Sequence, residues 1–71
     1  MHDYIIYING SRVSVSGPSA VEAIGEILGS TVGLNLIKLL HDMMPPYNPV
    51  YIYEHIDPHD RRTFIYAEKI H

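Results

Sequence analysis

The chain has 71 residues, a formal net charge of −3 at pH 7 and no cysteine. Its length predicts one domain, residues 1–71, that buries only about 60% of its unfolded surface and so has a thin stability margin. The lack of cysteine excludes disulfides, thiol catalysis and cysteine-rich zinc sites, whereas the 46% apolar content indicates a folded domain with apolar surface to spare for self-association.

Residues 3–16 have the pattern of a β-hairpin. Asn9-Gly10 is the strongest short signal for a two-residue hairpin turn, and apolar residues alternate with polar ones on both sides of it. Such a turn would pair Tyr7 with Arg12, whose side chains could stack on the more polar face. The apolar face of the hairpin is the predicted core face, with Tyr4, Ile6, Ile8, Val13 and Val15.

The first ten residues, MHDYIIYING, contain no basic leader, and Asn9-Gly10 interrupts their apolar run. We therefore expect neither a signal peptide nor a transit sequence, and we predict a cytoplasmic protein. The longest uncharged run of the central region, Ile27–Ile37, falls short of the ~20 apolar residues that a membrane span requires.

The central stretch, Ser19–Met44, is predicted to be helical and to cover one side of a sheet. Ser19 and Glu22 have the spacing of a capping box, and Pro18 suits the entrance to a helix. Apolar and small residues then repeat with helical period. The face they form carries Ala20, Ile24, Ile27, Leu28 and Thr31.

Three glycines at four-residue spacing predict a break in this helix. Inside a helix, each glycine lowers the helix stability by about 1 kcal/mol relative to alanine. This applies to Gly25, Gly29 and Gly33. An unbroken helix would also be ~39 Å long, more than strands of about 20–27 Å can support. We expect a break near Gly29–Gly33, capped again by Ser30 or Thr31, and a second helical part from Leu34 to Met44. Pro45-Pro46 would end it and begin an extended linker.

A second hairpin is predicted from Val50–Ile56 and Thr63–Ile70, joined by a loop that Asp57-Pro58 initiates. If Asp57 opposes Arg62, the core face carries Val50, Ile52, Ile56, Ile65 and Ala67. The opposite face then carries Tyr51, Tyr53, His55, Phe64, Tyr66 and Glu68. A slip of one residue would exchange the two faces.

The elements in order, β-β-α-(α)-β-β, predict an α+β fold. We expect a four-stranded, mainly antiparallel sheet with one broken or two short helices packed on one face. The other face would be uncovered and rich in aromatic side chains, which are enriched at protein interfaces. The predicted partner-binding residues are Tyr7, Tyr51, Tyr53, His55, Phe64, Tyr66, Arg61 and Arg62.

Other interpretations of these residues remain open. Tyrosines are good strand formers and can be half-buried without any partner. Bases could stack on the aromatic face, but five Lys and Arg residues are too few for the basic footprint of nucleic-acid binding. The cluster from His55 to Asp60 has metal-binding residue types, although a solvated loop explains it as well. His41-Asp42 fits a helix C-terminus better than an acid–base pair.

In size and layout the chain resembles the small anti-defence proteins of bacteriophages, especially anti-CRISPR inhibitors. The resemblance lies in DYIIYINGSRVSVSG, in GPSAVEAIGEILG and in the C-terminal strand pair. It implies a single domain with a β-hairpin, a helix and further strands that occludes a surface of a host nuclease complex in the host cytoplasm. It assigns no role to an individual residue. Many anti-CRISPR proteins are more strongly charged, which favours contact through tyrosines and aliphatic side chains here.

We therefore expect a small non-enzymatic protein-binding module that inhibits or regulates a larger protein or protein complex. The alternative is a homodimer or higher oligomer that holds a nucleotide-like ligand between its subunits. A third hypothesis is a metal-dependent or acid–base enzyme that uses His55, Asp57 and His59. Because no catalytic motif or cofactor fingerprint accompanies these residues, we predict no enzyme activity, no cofactor and no metal.

Overall fold

In the computed structural model, which describes residues 1–40 and 48–70, one helix packs on a five-stranded sheet. The elements are β1 (His2–Ile8), β2 (Ser11–Gly17), α1 (Ala20–Leu28), β3 (Leu34–Leu40), β4 (Val50–Ile56) and β5 (Arg62–Lys69). The strand order is β2-β1-β5-β4-β3, and every neighbouring pair is antiparallel. The predicted α+β class is confirmed, but the sheet has five strands rather than four.

The first hairpin forms in the predicted register. Asn9 and Gly10 both have positive φ, 49° and 77°, as a tight turn matched to the twist of the strands requires. Tyr7 lies opposite Arg12, as expected. On the predicted core face, Tyr4 and Ile6 are buried, whereas Val13 near the turn stays exposed. Local turn chemistry was therefore sufficient to place these two strands.

Helix α1 begins and ends where its capping residues predict. The Ser19 hydroxyl accepts a hydrogen bond from the Glu22 amide at 3.3 Å. At the other end, Gly29 adopts the left-handed conformation, and its amide donates to the Gly25 carbonyl at 2.7 Å. The predicted break in the helix is confirmed, because this left-handed glycine ends α1 directly after Leu28.

The second helical part, predicted from Leu34 to Met44, is wrong over its first seven residues. Leu34–Leu40 forms β3, with a bulge between Leu36 and Lys38. Leucine has high intrinsic helix propensity, but propensity is weak beside tertiary pairing, and β4 pairs with β3 on both sides of the bulge. The predicted helix end at 41–44, the His41-Asp42 pair and the Pro45-Pro46 part of the linker lie outside the described residues.

The second hairpin forms, but one residue out of the predicted register. Tyr53 lies opposite Ile65 rather than Tyr66, because the loop closes between Asp57 and Arg61 instead of between Asp57 and Arg62. The Asp57 amide donates to the Arg61 carbonyl at 3.0 Å. The slip turns over the faces of β4, so the core carries its tyrosines and the opposite face carries its aliphatic residues.

The core lies between α1 and one half of the sheet. The helix packs mainly on β1, β2 and β5, so the helix-side surface of β3 keeps apolar groups in solvent, with Leu36 53% exposed. Small residues on the helix, including Ala20 and Ala23, allow it to approach the sheet closely. The buried core residues are Tyr4, Ile6, Ala20, Ala23, Ile24, Tyr53, Ile65 and Ala67.

Candidate protein-binding surface

The face of the sheet opposite α1, here called the open face, is covered by no other element of the described chain. Side chains alternate between the two faces of a strand. Ile6 and Ile65 point into the core and are fully buried, so their neighbours Tyr7, Phe64 and Tyr66 point away from α1. The antiparallel pairing of β1 with β5 therefore brings aromatic residues from the two hairpins onto one surface.

Three aromatic residues of the described chain occupy neighbouring positions on the open face. Tyr7 is directly opposite Tyr66 in the β1–β5 pair and directly opposite Arg12 in the β1–β2 pair. Phe64 lies two residues before Tyr66 in β5 and therefore on the same face of the strand. Their exposed fractions are 37% for Tyr7, 50% for Phe64 and 44% for Tyr66. A cluster of half-exposed aromatic residues is typical of a surface that binds a partner.

Beside these rings the surface forms a groove of about 680 Å³, here called the open-face groove. It lies between the Asn9-Gly10 turn and the beginning of β5. Two guanidinium groups, of Arg12 and Arg62, share the lining with the aromatic rings, and no aspartate or glutamate of the described residues belongs to the lining. The aromatic and basic residues of its lining are Tyr7, Arg12, Arg62, Phe64 and Tyr66.

Acidic residues lie just outside the groove and hold two of its side chains in place. Glu54 forms an ion pair with Arg62, with 3.1 Å between Oε2 and Nε. The Tyr7 hydroxyl donates to Glu68 Oε1 at 3.3 Å, and Asn48 Nδ2 donates to Glu68 Oε2 at 3.1 Å. Tyr7 and Arg62 are therefore partly ordered before any partner binds.

Three predicted partner-binding residues, Tyr51, Tyr53 and His55, lie on the opposite face of the sheet. This corrects their predicted placement beside Tyr66, and the cause is the one-residue slip of the second hairpin. Tyr53 is only 5% exposed and belongs to the core, where burial raises the pKa of its phenol, with smaller effects from Tyr51 and Tyr4. Tyr51 is partly buried against the core, its ring edge-on to Tyr4 at 6.4 Å.

The loop after β4 separates the two neighbouring arginines. Arg61 stays at the loop, 3.9 Å from the Asp57 carboxylate, whereas Arg62 pairs with Glu54 and does not lie opposite Asp57 as the predicted register had it. Asp57 Oδ1 accepts the amides of His59 at 2.8 Å and of Arg61 at 2.9 Å. The Arg61 amide is the largest cause of the lowered pKa of Asp57. Of the described residues, no three His, Asp or Glu side chains are grouped to hold a metal.

The groove combines four predicted residues with one that was not on the predicted surface. Tyr7, Arg62, Phe64 and Tyr66 come together as part of it, and Arg12 is the addition. The hairpin register already paired Arg12 with Tyr7, so that signal was present in the sequence. The approach of Arg62 depends on the pairing of β1 with β5, for which the sequence has no local signal.

The chain matches no protein-family model, no curated protein and no solved structure. Within residues 1–40 and 48–70, no helix is long and apolar enough to cross a membrane.

Proposed function

We propose that this protein is a small non-enzymatic binding module that inhibits or regulates a larger host protein complex, in the manner of anti-CRISPR inhibitors. The observation that carries the proposal is the aromatic and arginine-rich cluster on the open face. Tyrosine and arginine are the residues that most often dominate binding energy at protein interfaces. Tyr7, Phe64 and Tyr66 offer rigid contact area whose ordering costs little entropy.

The chemistry of the open-face groove favours contact over catalysis. Within residues 1–40 and 48–70, its lining side chains include phenol, phenyl and guanidinium groups but no carboxylate or imidazole. A general acid or base needs a group that titrates near the working pH, and arginine remains protonated at any such pH. The groove can therefore stack, donate hydrogen bonds and attract negative charge, which are properties of a recognition surface.

Loss of the partner on mutation of the open face is the direct test. The tagged protein would be expressed in its own host, purified gently and examined by native mass spectrometry. We expect a complex with a larger protein for the wild type and for a control variant with Val32→Ser, Leu36→Ser and Leu39→Ser. These control side chains are exposed and lie away from the open face. The variant with Tyr7→Ser, Phe64→Ser and Tyr66→Ser should lose the partner while keeping its circular dichroism spectrum.

If the open-face variant retains the partner and the control variant loses it, the binding surface is β3 and the proposal is wrong. Retention by both variants would equally remove the open face as the interface. Because each variant replaces three large exposed side chains with serine, the comparison separates the position of the interface from a general loss of apolar surface.

A second candidate function is a homo-oligomer assembled through β3. Within the described residues, β3 is an outer strand of the sheet and pairs only with β4. Its exposed side chains include Leu36, Ile37 and Leu39, with Lys38 as the single charge. Free strand edges normally carry charges or proline against such pairing. In this alternative, the oligomer would hold a nucleotide-like ligand between its subunits. A monomer at micromolar concentration by sedimentation velocity would exclude it.

A further inference from the structure

We infer that the open-face groove binds an extended acidic segment of the partner protein. One carboxylate of the segment contacts Arg12, a second contacts Arg62, and an apolar side chain between them packs on the rings of Tyr7, Phe64 and Tyr66. This inference rests on the proposed function and specifies the chemistry of the element that the open face receives.

The charge of the groove is opposite to that of the chain. The whole protein has a net charge of −3, yet the groove lining, as far as the described residues form it, has two arginines and no acidic residue. Two of the five basic side chains of the protein are thus gathered in one concave surface. Complementary charge speeds the encounter with a partner and fixes its orientation, so the surface selects a negatively charged segment.

The two arginines are positioned to be used together. Arg12 lies two strands away from β5, about 10 Å across the sheet, and Arg62 lies four residues before Tyr66, about 13 Å along the strand. Their backbones are therefore ~16 Å apart diagonally, and both side chains reach into the same groove. An extended segment places its residues i and i+4 on one side about 13 Å apart, which suits two flexible arginine side chains.

Both guanidinium groups have donors left for a ligand. Arg62 contacts Glu54 through Nε, and a guanidinium group carries five N–H donors in a planar fork that suits carboxylates. Among residues 1–40 and 48–70, no ion pair joins Arg12 to an acidic residue. A carboxylate from a partner would complete the pairing of Arg12 and add a second acceptor to Arg62.

The surroundings of the groove favour an acidic peptide over a nucleic acid. A nucleic-acid strand presents a phosphate at every nucleotide, and its affinity grows with the number of phosphates neutralised. Glu54 lies opposite Phe64, and Glu68 accepts from the Tyr7 hydroxyl. These two carboxylates would repel a continuous row of phosphates more strongly than a segment that carries only two separated carboxylates.

The experiment is an NMR titration of the ¹⁵N-labelled protein with Ac-Glu-Ser-Leu-Ser-Glu-NH₂. The matched control peptide, Ac-Gln-Ser-Leu-Ser-Gln-NH₂, has the same shape without the charges. We expect the acidic peptide to shift the amides of Tyr7, Arg12, Phe64 and Tyr66, and the glutamine peptide to bind about tenfold more weakly, because two partly exposed charge pairs are lost. Binding should weaken further at about 0.5 M NaCl, where charges are screened within roughly 4 Å.

Variants test each arginine separately. Arg12→Gln and Arg62→Gln should each reduce the affinity for the acidic peptide about threefold, because each removes one exposed charge pair. Lys38→Gln is the matched control: it removes an exposed cation from β3 that does not line the groove, and should leave the affinity unchanged. Arg12 is exposed, so Arg12→Gln tests the inference without threatening the fold.

Equal binding of the two peptides, or amide shifts on β3 in place of the groove, would overturn the inference. A pentathymidine oligonucleotide that binds the groove more tightly than the acidic peptide would also overturn it, in favour of a nucleic acid. If neither peptide binds while the open-face triple variant still loses its partner, the acidic segment is wrong and the proposed function stands. If the acidic peptide binds but the triple variant retains its partner, the groove binds acidic segments and the proposed function is wrong.

Discussion

Gly33 and Ile56 are in direct backbone contact at the point where β3 begins and β4 ends. The Ile56 amide donates to the Gly33 carbonyl at 3.0 Å, and a β-carbon on Gly33 would overlap the Ile56 carbonyl oxygen. Gly33 also has a φ of 80°, in the left-handed region that glycine tolerates best. This contact directs the chain from the end of α1 into the sheet, so it positions the whole of β3.

The first prediction is that Gly33→Ala destabilises the protein more than Gly29→Ala does. Both glycines have nearly the same φ, 80° and 82°, but a β-carbon on Gly29 would meet open space. Gly29→Ala should therefore cost about 1 kcal/mol of unfolding free energy, for the backbone conformation alone. Gly33→Ala should cost at least about 2 kcal/mol, since the backbone must also move. Urea unfolding followed by circular dichroism measures both, and equal costs would contradict the close approach.

The second prediction separates the two faces of the sheet. Tyr53→Ala removes a core ring and should cost about 3 kcal/mol or more of unfolding free energy. Tyr66→Ala, on the open face and 44% exposed, should cost less than about 1 kcal/mol. Denaturant midpoints of the two variants provide the comparison. Equally small losses for the two variants would mean that the second hairpin has the register expected from its sequence, in which both tyrosines lie on the uncovered face.

The third prediction concerns alkaline pH. Burial raises the pKa of Tyr4 and Tyr53 above the ordinary value of 10.0, with a smaller effect from Tyr51. The folded state therefore holds these protons more tightly than the unfolded state, so its stability is full below pH 10.0 and decreases as the pH rises through the folded-state pKa. We expect unfolding free energy to fall above pH 10.0, and to fall less in Tyr53→Phe. An unchanged slope in Tyr53→Phe would exclude this phenol as a cause.

The fourth prediction concerns acid pH. The Arg61 amide, followed by the His59 amide and the Arg61 charge, lowers the pKa of Asp57 below its ordinary value of 3.8. The carboxylate therefore contributes stability above pH 3.8 that is lost as the pH falls through the folded-state pKa. An NMR titration of the Asp57 carboxyl should have its midpoint below 3.8. The stability advantage of the wild type over Asp57→Asn should shrink on acidification.

Asp60→Asn is the matched control for this titration. Asp60 lies in the same loop but accepts neither of the hydrogen bonds that the backbone amides of His59 and Arg61 donate to Asp57. Its effect on stability should not follow the Asp57 titration. A wild-type advantage over Asp57→Asn that grows as the pH falls would contradict the proposed role of the carboxylate in closing the loop.

Short-range chemistry was enough to predict several elements from the sequence. Asn9-Gly10 specified both the turn and the register of the first hairpin, since only one strand pairing is compatible with a two-residue turn of that geometry. Ser19 and Gly29 marked the two ends of α1 through their backbone requirements. These signals act within a few residues, so they are independent of the remainder of the fold.

The fifth strand and the second register could not be predicted in this way. Leu34–Leu40 is apolar on both sides, so it has neither a clear helical nor a clear strand period, and its partner strand decided the outcome. The loop after Ile56 could close at Arg61 or at Arg62 with similar local chemistry. The choice of Arg61 moved Tyr53 into the core and left Tyr66 in solvent.

The sequence by itself determined the α+β class, the first hairpin, the limits of α1 and the presence of an aromatic surface, because each depends on neighbouring residues and alternation. Only the tertiary structure decided which aromatic residues form that surface. Strand order placed β5 beside β1, and this long-range pairing brought Arg62 and Phe64 to the hairpin that carries Tyr7 and Arg12. Pairing between distant strands depends on how those strands are buried together in one core, which no short stretch of the sequence encodes.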